Sequence, residues 1–548
     1  MAQSLRGADV LARALAGAGL RTVFTLSGNH VMPVFDAALE AGLELIHVRH
    51  EAAAVHMADA FARLTGRCGV ALVTGGPGHA NAVGALYTAL AAESPLVLLS
   101  GHAALSELGR GAFQELAQAQ MAAPAAKASW VVQSAAALGH DLARAVHTAL
   151  SGRPGPVHLS LPFDLLEQRL ADAPGLWPTA AAFAPATAPL DADVADGILA
   201  AVAAAARPLI LAGPTLCAGR GRILLARLAA ATGAPALGME SPRGINDPSL
   251  GAFAEVLAAA DLLVLLGKAH DFTLRFADPP TVDPRCRFAA IDPDPALIAR
   301  VAREKGERLV LHATADARAA AETLIARAAG TPRPPGAWTA EVAEAVSYRP
   351  PAWAGLRGGP GKVHPAELSR ALAPFVEGDP AAILVCDGGE IGQWPQSLLS
   401  PARRLINGVA GSIGAALPFA VAARLVEPRA PVIAVMGDGT FGFHMAEIDT
   451  AVRYHLPLVA VVGNDAGWNA EHQIQLRDYG RERAHGCELL PTRYDRVAEA
   501  LGGHGECVTE AVALGPAIAR AVAAGRPACV NIMIERVPAP IVRRGRAG

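Results

Sequence analysis

The sequence predicts an α/β protein made of three doubly wound parallel-sheet domains. Three observations carry the prediction. Short unbroken runs of valine, isoleucine and leucine, the pattern of strands buried on both faces, alternate with stretches whose apolar residues recur at helical spacing. The runs stop at turns of Gly, Asp and Asn, such as Gly437-Asp438-Gly439. Low-complexity connections at 171–189 and 330–361 divide the 548 residues into three stretches that each repeat the alternation, with expected domains at 1–175, 188–330 and 360–540.

In the first stretch Val10, Leu11 and Leu15 mark a helix. Strands are expected at 23–26, 45–48, 69–73, 95–99 and 157–161, with helices at 31–39, 52–64 and 144–151 between them. The second stretch shows strands at 209–212, 262–266 and 288–291. In the third, strands are expected at 383–385, 431–436, 458–462 and 529–534. After the strand at 431–436, Met445, Ile448 and Val452 keep a helical period.

Composition excludes several classes. A formal net charge of −3 gives no electrostatic reason to expect nucleic acid or an anionic membrane as partner. Seven cysteines without a CxxC pair suggest neither a zinc site nor a disulfide framework, which fits a reducing cytoplasm. The first nineteen residues spread their charges through an amphipathic helix instead of building a secretory apolar core, and no apolar run reaches the roughly 18 residues of a membrane span.

The chemistry gathers at turns. Asp438 and Asn464 end adjacent buried strands, where open parallel sheets bind ligands, and their oxygens suit Mg²⁺. Gly437 and Gly439 allow close backbone approach, and Thr440 opens the following helix, where phosphates bind well. Glu51, in Arg49-His50-Glu51-Ala52-Ala53, reads either as a helix-opening carboxylate or as a functional acid facing the sheet's crevice. Pro77 and Asn81 belong to a glycine-rich strand-to-helix turn. Gly411-Ser412-Ile413-Gly414 is not a nucleophile elbow, because Ala410 stands where that motif needs glycine.

GDGTF followed by ND at one strand-helix-strand spacing resembles the diphosphate and Mg²⁺ signature of thiamine-diphosphate enzymes of the acetolactate synthase, pyruvate oxidase and benzaldehyde lyase group. The resemblance covers essentially the whole chain and implies a pyrimidine-binding, a central and a diphosphate-binding domain. It implies that Glu51 promotes the imino tautomer of the cofactor's aminopyrimidine, so that an ylide forms and attacks a carbonyl, with an enamine following. Pro77 and Asn81 would line the pyrimidine pocket, and Gly411, Ser412 and Ile413 would hold the cofactor's bent shape. Gly437, Asp438, Gly439, Thr440 and Asn464 would bind the diphosphate end, with Asp438, Asn464 and the Ala466 carbonyl on Mg²⁺. It implies a homodimer as the minimal active unit, and commonly a homotetramer.

His30 reads either as a helix-opening histidine or as a site residue; it and Gln114 match substrate-oxygen ligands of benzaldehyde lyase-like members, whereas typical acetolactate synthases carry a small residue where His30 stands. Asn29, Trp468, Asn469, Glu471 and His472 are the remaining candidates to meet a small-molecule substrate. The expected activity is a lyase or carboligase acting on 2-hydroxy ketones or 2-oxo acids. Acetolactate synthase-like condensation, a 2-hydroxyacyl-CoA lyase and a non-catalytic regulatory subunit are the alternatives. In the middle domain, 211–221 and 241–253 are similar to segments that hold FAD or an ADP group in relatives, but they lack a full G-x-G-x-x-G fingerprint, and FAD and coenzyme A stay open.

Overall fold

The computed structural model describes residues 4–328 and 336–544, so residues 330–335 of the expected connection lie outside the described residues. Two compact units divide the chain, 1–186 and 187–548.

The first unit is organised by a six-stranded parallel sheet: β1 (Thr22–Thr25), β2 (Glu44–His47), β3 (Gly69–Val73), β4 (Leu96–His102), β5 (Ala128–Val131) and β6 (Pro156–Pro162). Their spatial order is β2-β1-β3-β4-β6-β5. The chain steps from β1 to one side and then returns to the other, which leaves a crevice between the ends of β1 and β3. Leu72, Leu99 and Leu159 of this sheet pack with Leu11, Leu15 and Leu142 from the covering helices. The small antiparallel pair Ser4–Arg6 with Arg169–Ala171 ties the start of this unit to its last segment.

The second unit contains two sheets. Its five-stranded sheet has β7 (Pro208–Ala212), β8 (Ala236–Gly238), β9 (Leu262–Leu266), β10 (Arg287–Ile291) and β11 (Leu309–Ala313) in the order β8-β7-β9-β10-β11. Along β9 the side chains divide by parity. Leu263 and Leu265 enter one core with Phe253 and Phe288, whereas Leu262, Val264 and Leu266 enter another with Ile198 and Leu228. Both faces are covered, as the unbroken apolar run requires.

The six-stranded sheet of this unit has β12 (Ile383–Cys386), β13 (Arg403–Ile406), β14 (Val432–Gly437), β15 (Val459–Asn464), β16 (His504–Val508) and β17 (Ala528–Met533). Its order, β13-β12-β14-β15-β17-β16, repeats that of the first unit strand for strand. Arg404 on β13 pairs with Glu240 beyond β8 at 2.9 Å, which ties the two sheets of the unit together. After β17 the chain crosses back: the Pro538 carbonyl accepts from the Trp394 indole, Ala539 donates to Glu390, and Arg544 binds Glu255 with its backbone and its guanidinium, each at 2.8 Å. Val542 packs against the core around Phe253.

Every expected strand forms, within a few residues. The structure adds β5, β8, β11, β13 and β16, and each lies at a sheet edge. Edge strands lack the unbroken buried run that reveals a central one. Val310 and His312 of β11 are exposed between half-buried neighbours, and β5 is half-buried throughout.

Candidate functional site

In the first unit the site begins at a helix start. His50 is extended and its Nδ1 accepts from the Ala52 N–H at 3.1 Å, so α1 (Glu51–Thr65) opens on Glu51, at the carboxyl end of β2. Glu51 is 8% exposed, and its Oε2 accepts from Asn81 Nδ2 at 3.0 Å. Asn81 stands on α2 (Pro77–Ala91), whose first residue is Pro77. The glycines before and inside this helix let its neighbours come close. A Cβ on Gly78 would lie 3.3 Å from Glu51 Oε1, and one on Gly76, at φ +59, would lie 2.7 Å from Gln114.

His30 lies in the crevice between β1 and β3, where its Nδ1 meets Thr74 Oγ1 at 3.3 Å. Burial, with His102 nearby, holds the imidazole below its ordinary range and therefore neutral at pH 7. Its ring stacks on Phe113 with centroids 6.1 Å apart. Gln114 follows at φ +57, in a loop held by the Glu115 carboxylate, which accepts from the N–H groups of Gly111 and Ala112. The structure therefore brings Glu51 to Asn81, His30 to Thr74 and Gln114 to Gly76. Asn29, next to His30, is exposed.

Beneath this surface lies a polar layer that the sequence did not reveal. His79 Nδ1 meets Ser100 Oγ at 2.9 Å and His158 Nδ1 meets Ser129 Oγ at 2.7 Å, with the two rings 4.5 Å apart. Burial pushes His79 down to about 4 and His158 well below its ordinary value.

The second unit holds a cavity of about 320 Å³ at the carboxyl ends of β12 and β14, again where the strand order reverses. Seven of its lining residues are glycine, Gly437, Gly439 and Gly411 among them. Asp438 is the first residue of α4 (Asp438–His444), 1% exposed, and its Oδ2 accepts from the Gly467 N–H at 3.1 Å. Burial pushes its carboxyl up to about 6. It pushes the neighbouring Asp465 to about 7, with Asp438 adding to the effect. Thr440 lines the same wall, and its hydroxyl donates to the Gly437 carbonyl.

Asn464 ends β15 fully buried. Its Nδ2 donates to the Thr492 carbonyl and to Asn531, and its Oδ1 accepts from the Ala466 N–H at 3.1 Å. Ala466 adopts φ +56, and its carbonyl already accepts from the Leu489 N–H and from Arg536 Nη2, each at 2.8 Å. Arg536 also reaches the Asp465 carbonyl and pairs with Glu488 at 2.7 Å. A Cβ on Gly467 would lie 2.5 Å from this guanidinium and 2.9 Å from the Cys487 carbonyl oxygen, so glycine lets the two approach.

Asp387, after β12, organises the opposite wall. Fully buried and pushed up to about 6, it accepts from the N–H groups of Gly388, Gly414 and Ala416. This pins the 411–414 turn, so that Ile413 lines the cavity against Gly388, while Ser412 is absent from the lining and its carbonyl accepts from Asn407. Gly388 caps α3 (Gly389–Leu398), whose first residues also line the cavity. Trp468, Asn469 and Glu471 line the rim beside α5 (Asn469–Asp478). His472 is absent from the lining and faces Arg536 at 3.5 Å. Sequence reasoning missed Asp387, Gly388, Asn407 and Arg536. The strand followed by Asp387-Gly388-Gly389 carried a usable signal; Arg536 had none.

The cavity suits a polar ligand with a cation. Gln393 Oε1, Asn407 Oδ1 and Asp465 Oδ1 are buried with no hydrogen-bond partner among the described residues, a state that a bound group relieves. Among those residues no cluster of three His, Cys, Asp or Glu side chains is gathered for a metal, so an ion here depends on carboxylate, carboxamide and ligand oxygens together. Around the five-stranded sheet, Lys268 is buried on the Ala269 carbonyl and Asp271, and Arg222 donates to the Ala402 carbonyl. No helix among the described residues is long and apolar enough to cross a membrane.

Comparison with known proteins identifies the family. A family profile described as "Thiamine pyrophosphate enzyme, N-terminal TPP binding domain" matches residues 5–121, and its C-terminal TPP binding counterpart matches 387–532. The chain is 32% identical to a probable acetolactate synthase of Mycobacterium bovis, with 97% of this chain and 96% of the relative covered. It is 29% identical to 2-hydroxyacyl-CoA lyase 2 of Caenorhabditis elegans, covering 97% and 90% of the two chains. A catabolic acetolactate synthase of Raoultella terrigena is also 29% identical, over 98% and 97%.

Proposed function

The chain belongs to the thiamine pyrophosphate enzyme family, and from that premise we propose that it makes or breaks the carbon–carbon bond beside the carbonyl of a 2-hydroxy ketone or 2-oxo acid. The observation that carries this reading is the glycine-lined cavity at the strand-order reversal, floored by the buried Asp438 beside Asp465. When bound, thiamine diphosphate supplies a carbon nucleophile and stabilises the carbanion that follows. The protein positions and shields.

In this proposal Asp438 and Asn464 hold Mg²⁺ through side-chain oxygens, and the amide groups opening α3 and α4 face the diphosphate. The Ala466 carbonyl joins the ion only by giving up one of the two N–H donors that it now accepts. Ile413, pinned through Asp387, supports the cofactor's bent shape. Glu51, with Pro77 and Asn81 in its surroundings, handles the aminopyrimidine proton, and Asn81 orients its carboxylate. Neutral His30 exchanges a proton with the substrate hydroxyl, with Gln114 beside it. Asn29, Trp468, Asn469, Glu471 and His472 shape the approach of the substrate.

We assign the pyrimidine-binding, central and diphosphate-binding roles to 1–175, 188–330 and 360–540. A homodimer, or a homotetramer built from it, is the proposed working form, in a cytoplasmic setting. The relatives named acetolactate synthase favour one second reading, condensation of two 2-oxo acids. The test is calorimetric titration with thiamine diphosphate and Mg²⁺, followed by turnover of pyruvate and benzoin with products identified by mass spectrometry. Cofactor binding with product from benzoin supports the lyase reading. Acetolactate from pyruvate alone replaces it by condensation, and absence of cofactor binding overturns both.

A further inference from the structure

The cavity of the second unit is lined by five carboxylates, Glu390, Asp438, Asp465, Glu471 and Glu535, and by a single basic side chain among the described residues, Arg243. That arginine is presented on a built arm. Glu240, at the root of the arm, is anchored by Arg404 at 2.9 Å, the Arg243 N–H donates to Ser241 Oγ at 3.2 Å, and Asn246 donates back to the Arg243 carbonyl at 3.0 Å. Gly244, at φ +54, fits so tightly that a Cβ would fall 2.1 Å from the Thr273 carbonyl oxygen. On the other side of Arg243, Pro242 packs over Gly411: a Cβ on that glycine would lie 3.4 Å from the proline ring. Arg243 thus enters the cavity beside the Gly411–Ile413 wall, whereas Asp438 and Asp465 come from the turns after β14 and β15.

The guanidinium is under-used. Its one side-chain partner among the described residues is Glu390 Oε1 at 3.5 Å, the limit of a hydrogen bond, and the other oxygen of Glu390 is taken by the Ala539 N–H. The Arg243 side chain keeps 38% of its surface exposed. Such a fork is shaped for bidentate capture of a planar anion.

We propose that Arg243 is a specificity-determining residue that holds the carboxylate of the substrate, so that the cavity takes a carboxylate-bearing acyl compound in preference to its neutral counterpart. Glu390 parks the guanidinium until the substrate arrives. This rests on the function proposed above, since it takes the Ile413 wall to lie beside the reacting carbon.

The test uses the holoenzyme, wild type against Arg243→Gln, with thiamine diphosphate and Mg²⁺ bound. Loss of a charge-assisted pair predicts that the ratio of kcat/KM for pyruvate to that for acetoin falls roughly ten- to a hundredfold, mostly through KM. Calorimetric titration with propanoate and its neutral isostere propanamide supplies a readout without turnover: the variant loses the preference for propanoate. Arg243→Lys, which keeps the charge but not the fork, falls between the two.

An unchanged propanoate-to-propanamide preference overturns the proposal. So does an equal loss on pyruvate and acetoin, or a matching loss of thiamine diphosphate affinity, which would place the guanidinium on the cofactor's phosphates instead. If the wild-type holoenzyme turns over neither compound, the proposed function fails, and the propanoate titration still decides the role of Arg243.

Discussion

The first and third sheets share one strand order, yet they carry different chemistry at the same topological point. In the first, the ends of β1 and β3 bring together neutral, hydrogen-bonding groups, His30 and Thr74, with the carboxylate Glu51 set at the end of the flanking strand β2. In the third, the corresponding ends of β12 and β14 carry buried acids, Asp387 and Asp438. The polar layers follow the same division, with histidines buried in the first sheet and carboxylates in the third. Repeating the fold has not repeated the site. Topology supplied the crevice, and the residues at the turns set its charge.

The sharpest way to break this comparison is to remove one acid from each sheet. Glu51→Gln should lower kcat by roughly 10²- to 10⁴-fold while leaving cofactor affinity nearly intact, as removal of a proton-transfer group does. Asp438→Ala should instead abolish retention of Mg²⁺ and thiamine diphosphate, read by calorimetry. Identical behaviour of the two variants would erase the division of labour.

The buried groups should also give the two sheets opposite pH dependence. His79 is held at about 4 against an unfolded value near 6.5, so its contribution is present at neutral pH and is lost as pH falls through that window, by about 3 kcal/mol. Asp387 and Asp438 are raised to about 6 from 3.8. Without metal, their contribution is present below about pH 4 and is lost as pH rises through 6, by about 3 kcal/mol each. Amide exchange by mass spectrometry at pH 5 and 7.5 should show peptides of 69–102 gaining protection with pH while those of 383–389 and 432–440 lose it. Mg²⁺ should restore the latter at the higher pH.

A smaller effect sharpens the comparison between turns. Asp387→Ala leaves the N–H groups of Gly388, Gly414 and Ala416 without their acceptor and should cost about 2 to 4 kcal/mol in urea unfolding. Smaller still, Gly76→Ala and Gly467→Ala each press a methyl into a neighbour, Gln114 or Arg536, at a cost of about 1 to 3 kcal/mol. A larger loss of Mg²⁺ affinity for Gly467→Ala than for Gly76→Ala is the expected difference.

Central strands were legible because burial on both faces writes an unbroken apolar run into the chain; β3 and β9 were read to the residue. The edge strands β5, β8, β11, β13 and β16 were not, because one side of each lacks a partner and their sequences are mixed. At the site, Asp438 and Glu51 were legible because each follows a strand and opens a helix within a recognisable local pattern. Arg536 was not. Its contacts with the Asp465 and Ala466 carbonyls join segments far apart in the chain, and nothing local in Glu535-Arg536-Val537 announces them.

The return crossing after β17 gives the second unit an order of assembly. Residues 538–544 follow every strand of both its sheets, and they join the start of α3 to Glu255 and to the core around Phe253. During synthesis the first unit has all its strands before this segment exists, so it can fold while the ribosome is still working. The second unit gains these contacts only once the segment has emerged, after every strand of the first unit has been made. Its glycine-lined cavity is lined by Val537, the residue just before that segment, and is therefore completed only after every strand of both its sheets has been made.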